Sequence, residues 1–174
     1  QSGALNVYIP DSVTSIGQSA FYGSALLAVT IPGSVETIGN SAFRNCANLT
    51  SASVSEGLEI IGDNAFRGCT ALTHIDFPAS ITSVGAGAFM DCTEMVSVRF
   101  MPGGEVEIGD NLFSRCYKLM SVTLPLNADC ISDGMFASCS LLPQLYIPAS
   151  VQQIGGEYGV GIYESPFNSC GNLR

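Results

Sequence analysis

Apolar and polar positions along this chain repeat on a long period. A Phe preceded by an apolar residue recurs at Ala20-Phe21, Ala42-Phe43, Ala65-Phe66, Ala88-Phe89, Leu112-Phe113 and Met135-Phe136, with Pro166-Phe167 as a degenerate seventh copy. The gaps between these Phe residues are 22, 23, 23, 24 and 23, then 31. Other positions keep step. Five residues before Phe stands Ile16, Ile38, Ile61, Val84, Ile108 or Ile131, and Gly17, Gly39, Gly62, Gly85 and Gly109 follow it, with Ser132 as the exception. Three residues after Phe come Cys46, Cys69, Cys92, Cys116, Cys139 and Cys170, with Ser24 in the first copy. A Leu or Met then leads into an apolar pair flanking one variable residue, such as Val29/Ile31, Ile75/Phe77, Val98/Phe100, Val122/Leu124 and Leu145/Ile147.

Each part predicts an element. The Leu-x-x-Ile-x-Ile segment ends in period-two alternation, the signature of a short half-buried strand. The Pro that usually closes it (Pro10, Pro32, Pro78, Pro102, Pro125, Pro148) ends the strand, having no N–H for the ladder. Gly after the Ile is expected where the backbone needs positive φ. Asn40, Asp63, Asp110 and Asp133 follow it and are expected to cap a single helical turn carrying the Phe. A 23-residue unit cannot bury its own apolar face, so the units must stack. The expectation is one α/β solenoid domain over residues 1–174 with about seven coils of roughly 23 residues: short parallel strands on one face, helical turns and short extended segments on the other. The chain opens inside a unit, at the strand of Val7 and Ile9, and stops inside another at Leu173, and so reads as a segment of a longer array.

Composition narrows the function classes. Hydrophobic residues make up 47% and charged ones 12%, which suits a large buried interior. Six basic against 15 acidic residues give a formal charge of −9, which would repel a phosphate backbone and an anionic bilayer surface. No apolar run is long enough to insert in a membrane.

The units Leu72–Met95 (LTHIDFPASITSVGAGAFMDCTEM) and Ile31–Cys46 (IPGSVETIGNSAFRNC) resemble the BspA-type leucine-rich repeats of bacterial and protist surface proteins, and the Ile-Gly-x-x-Ala-Phe-x-x-Cys spacing is specific. The resemblance covers nearly the whole chain. It implies a curved leucine-rich-repeat solenoid, an extracellular or cell-surface location, and adhesion to host or cell-surface proteins. It carries over no catalytic residues and names no ligand. The chain departs from the pattern at Ser55, where the closing Pro is missing, at Ser132, and in the insertion between Gly155 and Phe167.

Six of the seven cysteines share one repeat position and are expected as a buried column of free thiols. Zinc is not expected, since no Cys-x-x-Cys pair exists and His74 is the sole histidine. Cys130 stands apart, before Ile131, as a partly exposed thiol or a disulfide partner of Cys116 or Cys139. Asn48-Leu49-Thr50 matches the glycosylation tripeptide, but Leu49 occupies a core position.

Ligand contacts are expected on the outward strand positions, which line one continuous face. One row reads Asn6, Ala28, Ser51, His74, Ser97, Ser121, Gln144; the other reads Tyr8, Thr30, Ser53, Asp76, Arg99, Thr123, Tyr146. Candidate ligand-binding residues are His74, Asp76, Arg99, Ser97, Ser121, Thr123 and Tyr146, the first three as a charged cluster that is either a ligand contact or a solvated local ion pair. The inserted segment 156–165, with Tyr158 and Tyr163, is the second candidate. Catalysis by His74 with Asp76 has no Ser, Cys or metal partner in the pattern, so no enzyme and no cofactor are expected. The expected function is a surface or secreted module binding a protein or glycan through the strand face. The alternative is a structural spacer without a ligand of its own.

Overall fold

The structure, a computed structural model, describes residues 5–155 and 165–173. It is a β-solenoid of about six turns. One face carries strands β1 (Leu5–Val7), β3 (Leu26–Ile31), β5 (Ser51–Val54), β7 (His74–Phe77), β9 (Ser97–Phe100) and β11 (Ser121–Thr123). A second carries two-residue strands β2 (Ser15–Ile16), β4 (Thr37–Ile38), β6 (Ile60–Ile61), β8 (Ser83–Val84), β10 (Glu107–Ile108), β12 (Cys130–Ile131) and β13 (Gln153–Ile154). All pairs are parallel and join equivalent positions of neighbouring turns, as in Ile16↔Ile38↔Ile61↔Val84↔Ile108.

The core follows the repeat. Phe21, Phe43, Phe66, Phe89, Phe113, Phe136 and Phe167 form one ladder with ring centroids 4.9–6.0 Å apart. Six intervals separate the seven rings, so the count is about six turns rather than the expected seven coils. Phe136 and Phe167 still lie 5.9 Å apart although 31 residues separate them in sequence.

The expected helical turns do not form: among the described residues the Phe segments are successive β-turns and contain no helix. In the second unit, Ala42, Arg44 and Cys46 donate to the carbonyls of Gly39, Ser41 and Phe43. The intervening N–H groups of Ser41, Phe43 and Asn45 donate instead to Asp63, Ala65 and Arg67 of the next coil, at 2.7–2.8 Å. Ser41 (φ 57°) and Asn45 (φ 61°) are left-handed, which a right-handed helix cannot absorb. Half the N–H groups are thus spent on stacking rather than on a helix.

Two further expectations are corrected. Gly17, Gly39, Gly62, Gly85 and Gly109 do not need positive φ. From the second copy onward the glycine is there because coils touch: a Cβ on Gly39 would lie 2.7 Å from the Gln18 nitrogen, and one on Gly109 would meet the Ala86 backbone. Asn40 and Asp63 do not cap a helix either. Their Oδ1 atoms accept from the N–H of Asp63 (3.0 Å) and Ala86 (2.8 Å), one coil on.

The ladders are interrupted once on each face. The first breaks between β5 and β7, a junction bridged by the Glu56 carboxylate, which accepts from the N–H groups of Ala79 and Ser80. The second breaks between β10 and β12, where Ser132 replaces the contact glycine. A side chain there cannot enter the close coil contact, and Ser132 Oγ donates to the Gly109 carbonyl at 3.0 Å instead.

Candidate functional site on the strand face

Strands β7, β9 and β11 place the outward rows in register. His74 aligns with Ser97 and Ser121, and Asp76 with Arg99 and Thr123. Ile75 and Val98 between them point into the core. His74, Asp76, Arg99, Ser121 and Thr123 are exposed and Ser97 is half-buried.

Register makes the Asp76–Arg99 pair. Arg99 Nη2 donates to Asp76 Oδ2 at 2.5 Å, with both side chains about half exposed (57% and 49%). His74 does not join it: its Nδ1 lies 3.1 Å from Thr73 Oγ1. The expected three-residue charged cluster is therefore an ion pair with a separate histidine on the adjoining row. Among the described residues no group of three or more His, Cys, Asp or Glu is arranged to hold a metal ion.

Tyr146 departs from expectation. It is 75% exposed but lies outside any strand, as do Leu145 and Ile147. In three earlier turns the residue after the buried Leu or Met donates to the coil before it: Thr50 to Leu27, Val96 to Thr73, Met120 to Val96. Pro143 occupies that position and has no N–H to give, so the strand is not started. Tyr158 and Tyr163 lie outside the described residues.

The same junctions show what sequence reasoning missed. Val96 (41% exposed) and Met120 (54% exposed) sit beside Ser97 and Ser121 and give the hydroxyl-rich face an apolar margin. The signal was available: both directly follow a buried core residue, Met95 or Leu119, where other units carry Thr50 and Thr73. Lys118 and Glu94, paired at 2.7 Å, stand two residues before Met120 and Val96.

Behind the faces the thiol column is ordered. Cys46, Cys69, Cys92, Cys116, Cys139 and Cys170 donate Sγ–H to the carbonyls of Phe21, Phe43, Phe66, Phe89, Phe113 and Phe136, one coil back, at 3.0–3.3 Å. Burial pushes the Cys92 and Cys116 thiols up and takes Cys139 to about 12. Cys130 is free and partly exposed, and its thiol is raised by burial and by the carboxylates of Asp129 and Asp110.

The comparisons with known proteins agree with this geometry. The model of the BspA type leucine-rich repeat region matches residues 2–105 and 36–174, in six copies. The chain belongs to the BspA-type leucine-rich repeat family. The T. pallidum leucine-rich repeat protein (TpLRR) is 32% identical, with a TM-score of 0.87 over 98% of this chain and 78% of that one. A leucine-rich cell surface protein of Faecalibacterium prausnitzii is 34% identical, with a TM-score of 0.77 over 93% of this chain; the chain spans only 42% of its length. A leucine-rich repeat protein of Bacteroides ovatus shares the fold at 23% identity, with a TM-score of 0.55 over 89% of this chain and 43% of that one. No curated protein matches significantly. BspA-type repeats are a scaffold family, commonly protein-binding rather than enzymatic.

Proposed function

We propose that this BspA-type solenoid is a surface-exposed or secreted binding module that recognises a host or cell-surface protein or glycan through its strand face. One observation carries the reading: the outward rows of β7, β9 and β11 form an in-register, largely exposed, hydroxyl-rich surface containing the Asp76–Arg99 pair and edged by Val96 and Met120. Ser97, Ser121 and Thr123 supply donors and acceptors without bulk, the pair fixes orientation, and the apolar margin supplies area that excludes water. The surface location is supported by the F. prausnitzii relative, which is described as a cell surface protein.

The test is a binding screen of the folded chain against extracellular-matrix proteins, cell-surface proteins and glycans, run beside a His74→Ala/Asp76→Ala/Arg99→Ala variant of equal thermal stability. A saturable hit lost in the variant supports the strand face. A hit the variant retains places recognition elsewhere on the chain. A well-folded sample with no hit favours the spacer reading.

A further inference from the structure

Tyr22, Arg44, Arg67 and Met90 hold one repeat position, directly after Phe21, Phe43, Phe66 and Phe89. Stacking sets them side by side along the turns. The carbonyls of Arg44, Arg67 and Met90 accept from the N–H groups of Gly23, Asn45 and Gly68, one coil back, at 2.7–2.9 Å. Tyr22 is exposed and the other three are half-buried. The two arginines differ in their company. Arg67 Nε donates to Asp91 Oδ2 and its Nη1 to Asn64 Oδ1, both at 3.3 Å. In the coil after Arg44 the counterpart of Asp91 is Gly68, and the counterpart of Asn64 beside Arg44 is Ser41. Arg44 therefore has the same setting without the carboxylate. Arg67, Arg99, Arg115 and Lys118 all pair with acids, so among the described residues Arg44 is the one arginine or lysine that does not. Its Nε is buried without a hydrogen-bond partner, which leaves a charged donor desolvated and unmade. In a chain with 15 acidic and six basic residues, a lone arginine is the exception. Asp63 of the adjoining coil is spent on the Ala86 N–H at 2.8 Å. A side chain at Gly68 could not help as the coils stand, since a Cβ there would lie 2.5 Å from Asn45 Oδ1.

We propose that Arg44 is the centre of a second binding site, which takes a single carboxylate from an acidic side chain of a protein partner. The carboxylate stands to Arg44 as Asp91 stands to Arg67, in charge-assisted hydrogen bonds. Asn45 is exposed and its amide donates to the Tyr22 hydroxyl at 3.2 Å, so it is the group that turns aside to admit the ligand. Tyr22 and Met90 flank the two arginines, and aromatic residues, Met and Arg are the types that anchor protein interfaces. The net charge of −9 repels a polyanion such as a sulfated glycan, whereas one carboxylate in an apolar segment meets little of that repulsion. The site lies on the turns, away from β7, β9 and β11, and stands or falls independently of the strand-face reading.

The experiment titrates the isotope-labelled whole chain with a blocked pentapeptide carrying one central glutamate between leucines, and follows amide and arginine Nε–H chemical shifts. A glutamine analogue is the neutral probe, and inorganic sulfate and glucuronate are the other anions. The expected result is saturable binding of the glutamate peptide, with the Arg44 Nε–H moving downfield and the Asn45 side-chain amide shifting, and no such change with glutamine. Affinity should fall about tenfold or more in Arg44→Gln and less than about threefold in Lys118→Gln, which removes the same charge elsewhere. Asn45→Gly/Gly68→Asp copies the Gly68 and Asp91 arrangement of the next coil, where Asp91 has φ 63° against 73° at Gly68. That variant supplies its own carboxylate, so its Arg44 Nε–H should stand downfield without peptide and its affinity should fall about tenfold or more, while Asn45→Gly alone keeps binding. Equal weakening in Arg44→Gln and Lys118→Gln would reduce the effect to diffuse charge and overturn the proposal. So would undiminished binding by the Asn45→Gly/Gly68→Asp variant, shifts confined to the strand face around His74, or no saturation at millimolar peptide. Tighter binding of sulfate or glucuronate than of the peptide would overturn the protein partner in favour of an acidic glycan. The wild-type shift map decides the matter even if a variant is unstable.

Discussion

A β-carbon on Gly85 would stand 2.6 Å from the backbone nitrogen of Asp63, one coil back. Neither side can yield easily, because Gly85 N–H is bonded to Ile61 and Asp63 Oδ1 is bonded to Ala86 N–H, both at 2.8 Å. Gly85→Ala should therefore destabilise the fold by about 1–3 kcal/mol through overpacking. Gly17 holds the same repeat position in the first copy, with nothing within 4 Å of a built Cβ. Gly17→Ala should stay within about 0.5 kcal/mol of the parent. Chemical denaturation of both variants checks the pair. Equal losses would mean that the glycine serves backbone conformation and not coil contact.

The repeat arithmetic made most of this architecture legible. A 23-residue step is enough to place Arg99 beside Asp76 and Ser97 beside His74, because parallel in-register stacking carries each position onto its equivalent. The Phe ladder follows for the same reason. What the sequence hid was how the turns are made. Ser41, Asn45, Asn64 and Asp91 adopt positive φ without being glycine, a choice stabilised by inter-coil hydrogen bonds that only stacking supplies. An Asn after a Gly looks the same whether it caps a helix or bridges two coils, so Asn40 was legible as a backbone-bonding residue but not as a coil bridge. His74 was legible on the right face, yet its bond to Thr73 depends on side-chain rotamers that periodicity does not encode.

Pro143 gives a local test of the stacking rule. Thr50, its counterpart, donates both N–H and Oγ1 to the Leu27 carbonyl, at 2.9 and 3.0 Å. Pro143→Thr should restore the inter-coil bond, extend the first sheet by one strand through Leu145 and Ile147, and add roughly 0.5–1.5 kcal/mol. Hydrogen exchange would show new protection at the position-143 amide and at those of Gln144 and Tyr146, the counterparts of Met120, Ser121 and Thr123, whose N–H groups face the preceding coil. Unchanged exchange would mean that something other than the missing N–H keeps the segment off the sheet.

The thiol column makes stability depend on alkaline pH. Folded Cys139 is held up to about 12 against an ordinary value of 9.0, and Cys92 and Cys116 are raised in the same sense. Above pH 9 the unfolded chain loses thiol protons that the folded chain keeps at six of its seven cysteines. Cys46, lowered by its hydrogen bond with Cys69, acts in the opposite sense, but one thiol against six leaves the unfolded state binding fewer protons, and stability falls. The stability is fully present below pH 9 and is lost as pH rises toward the folded values. Melting temperature should be flat from pH 7 to about 8.5 and drop above it. At pH 8 a thiol reagent should modify Cys130 first and Cys170 slowly, leaving Cys69, Cys92, Cys116 and Cys139 protected until unfolding. Rapid labelling of all seven would show that the column opens readily.

The Asp76–Arg99 pair separates stability from recognition. Both partners are about half exposed, so water and salt screen them, and Arg99→Ala should change unfolding free energy by no more than about 1 kcal/mol. The same substitution should weaken a strand-face ligand far more. Once a partner covers the face the pair loses its water, and truncating one member leaves Asp76 desolvated and unpaired, a situation that typically costs about 2–5 kcal/mol at protein interfaces. Asp76→Ala alone should weaken binding comparably, and the double variant should cost less than the sum of the two singles, because it leaves no lone buried charge. A binding cycle over the four proteins, with unfolding measured on each, reads both quantities. Additive binding losses would show that the two residues contact the ligand separately. No loss in any variant would leave Asp76 and Arg99 a solvated ion pair and move recognition off this part of the face.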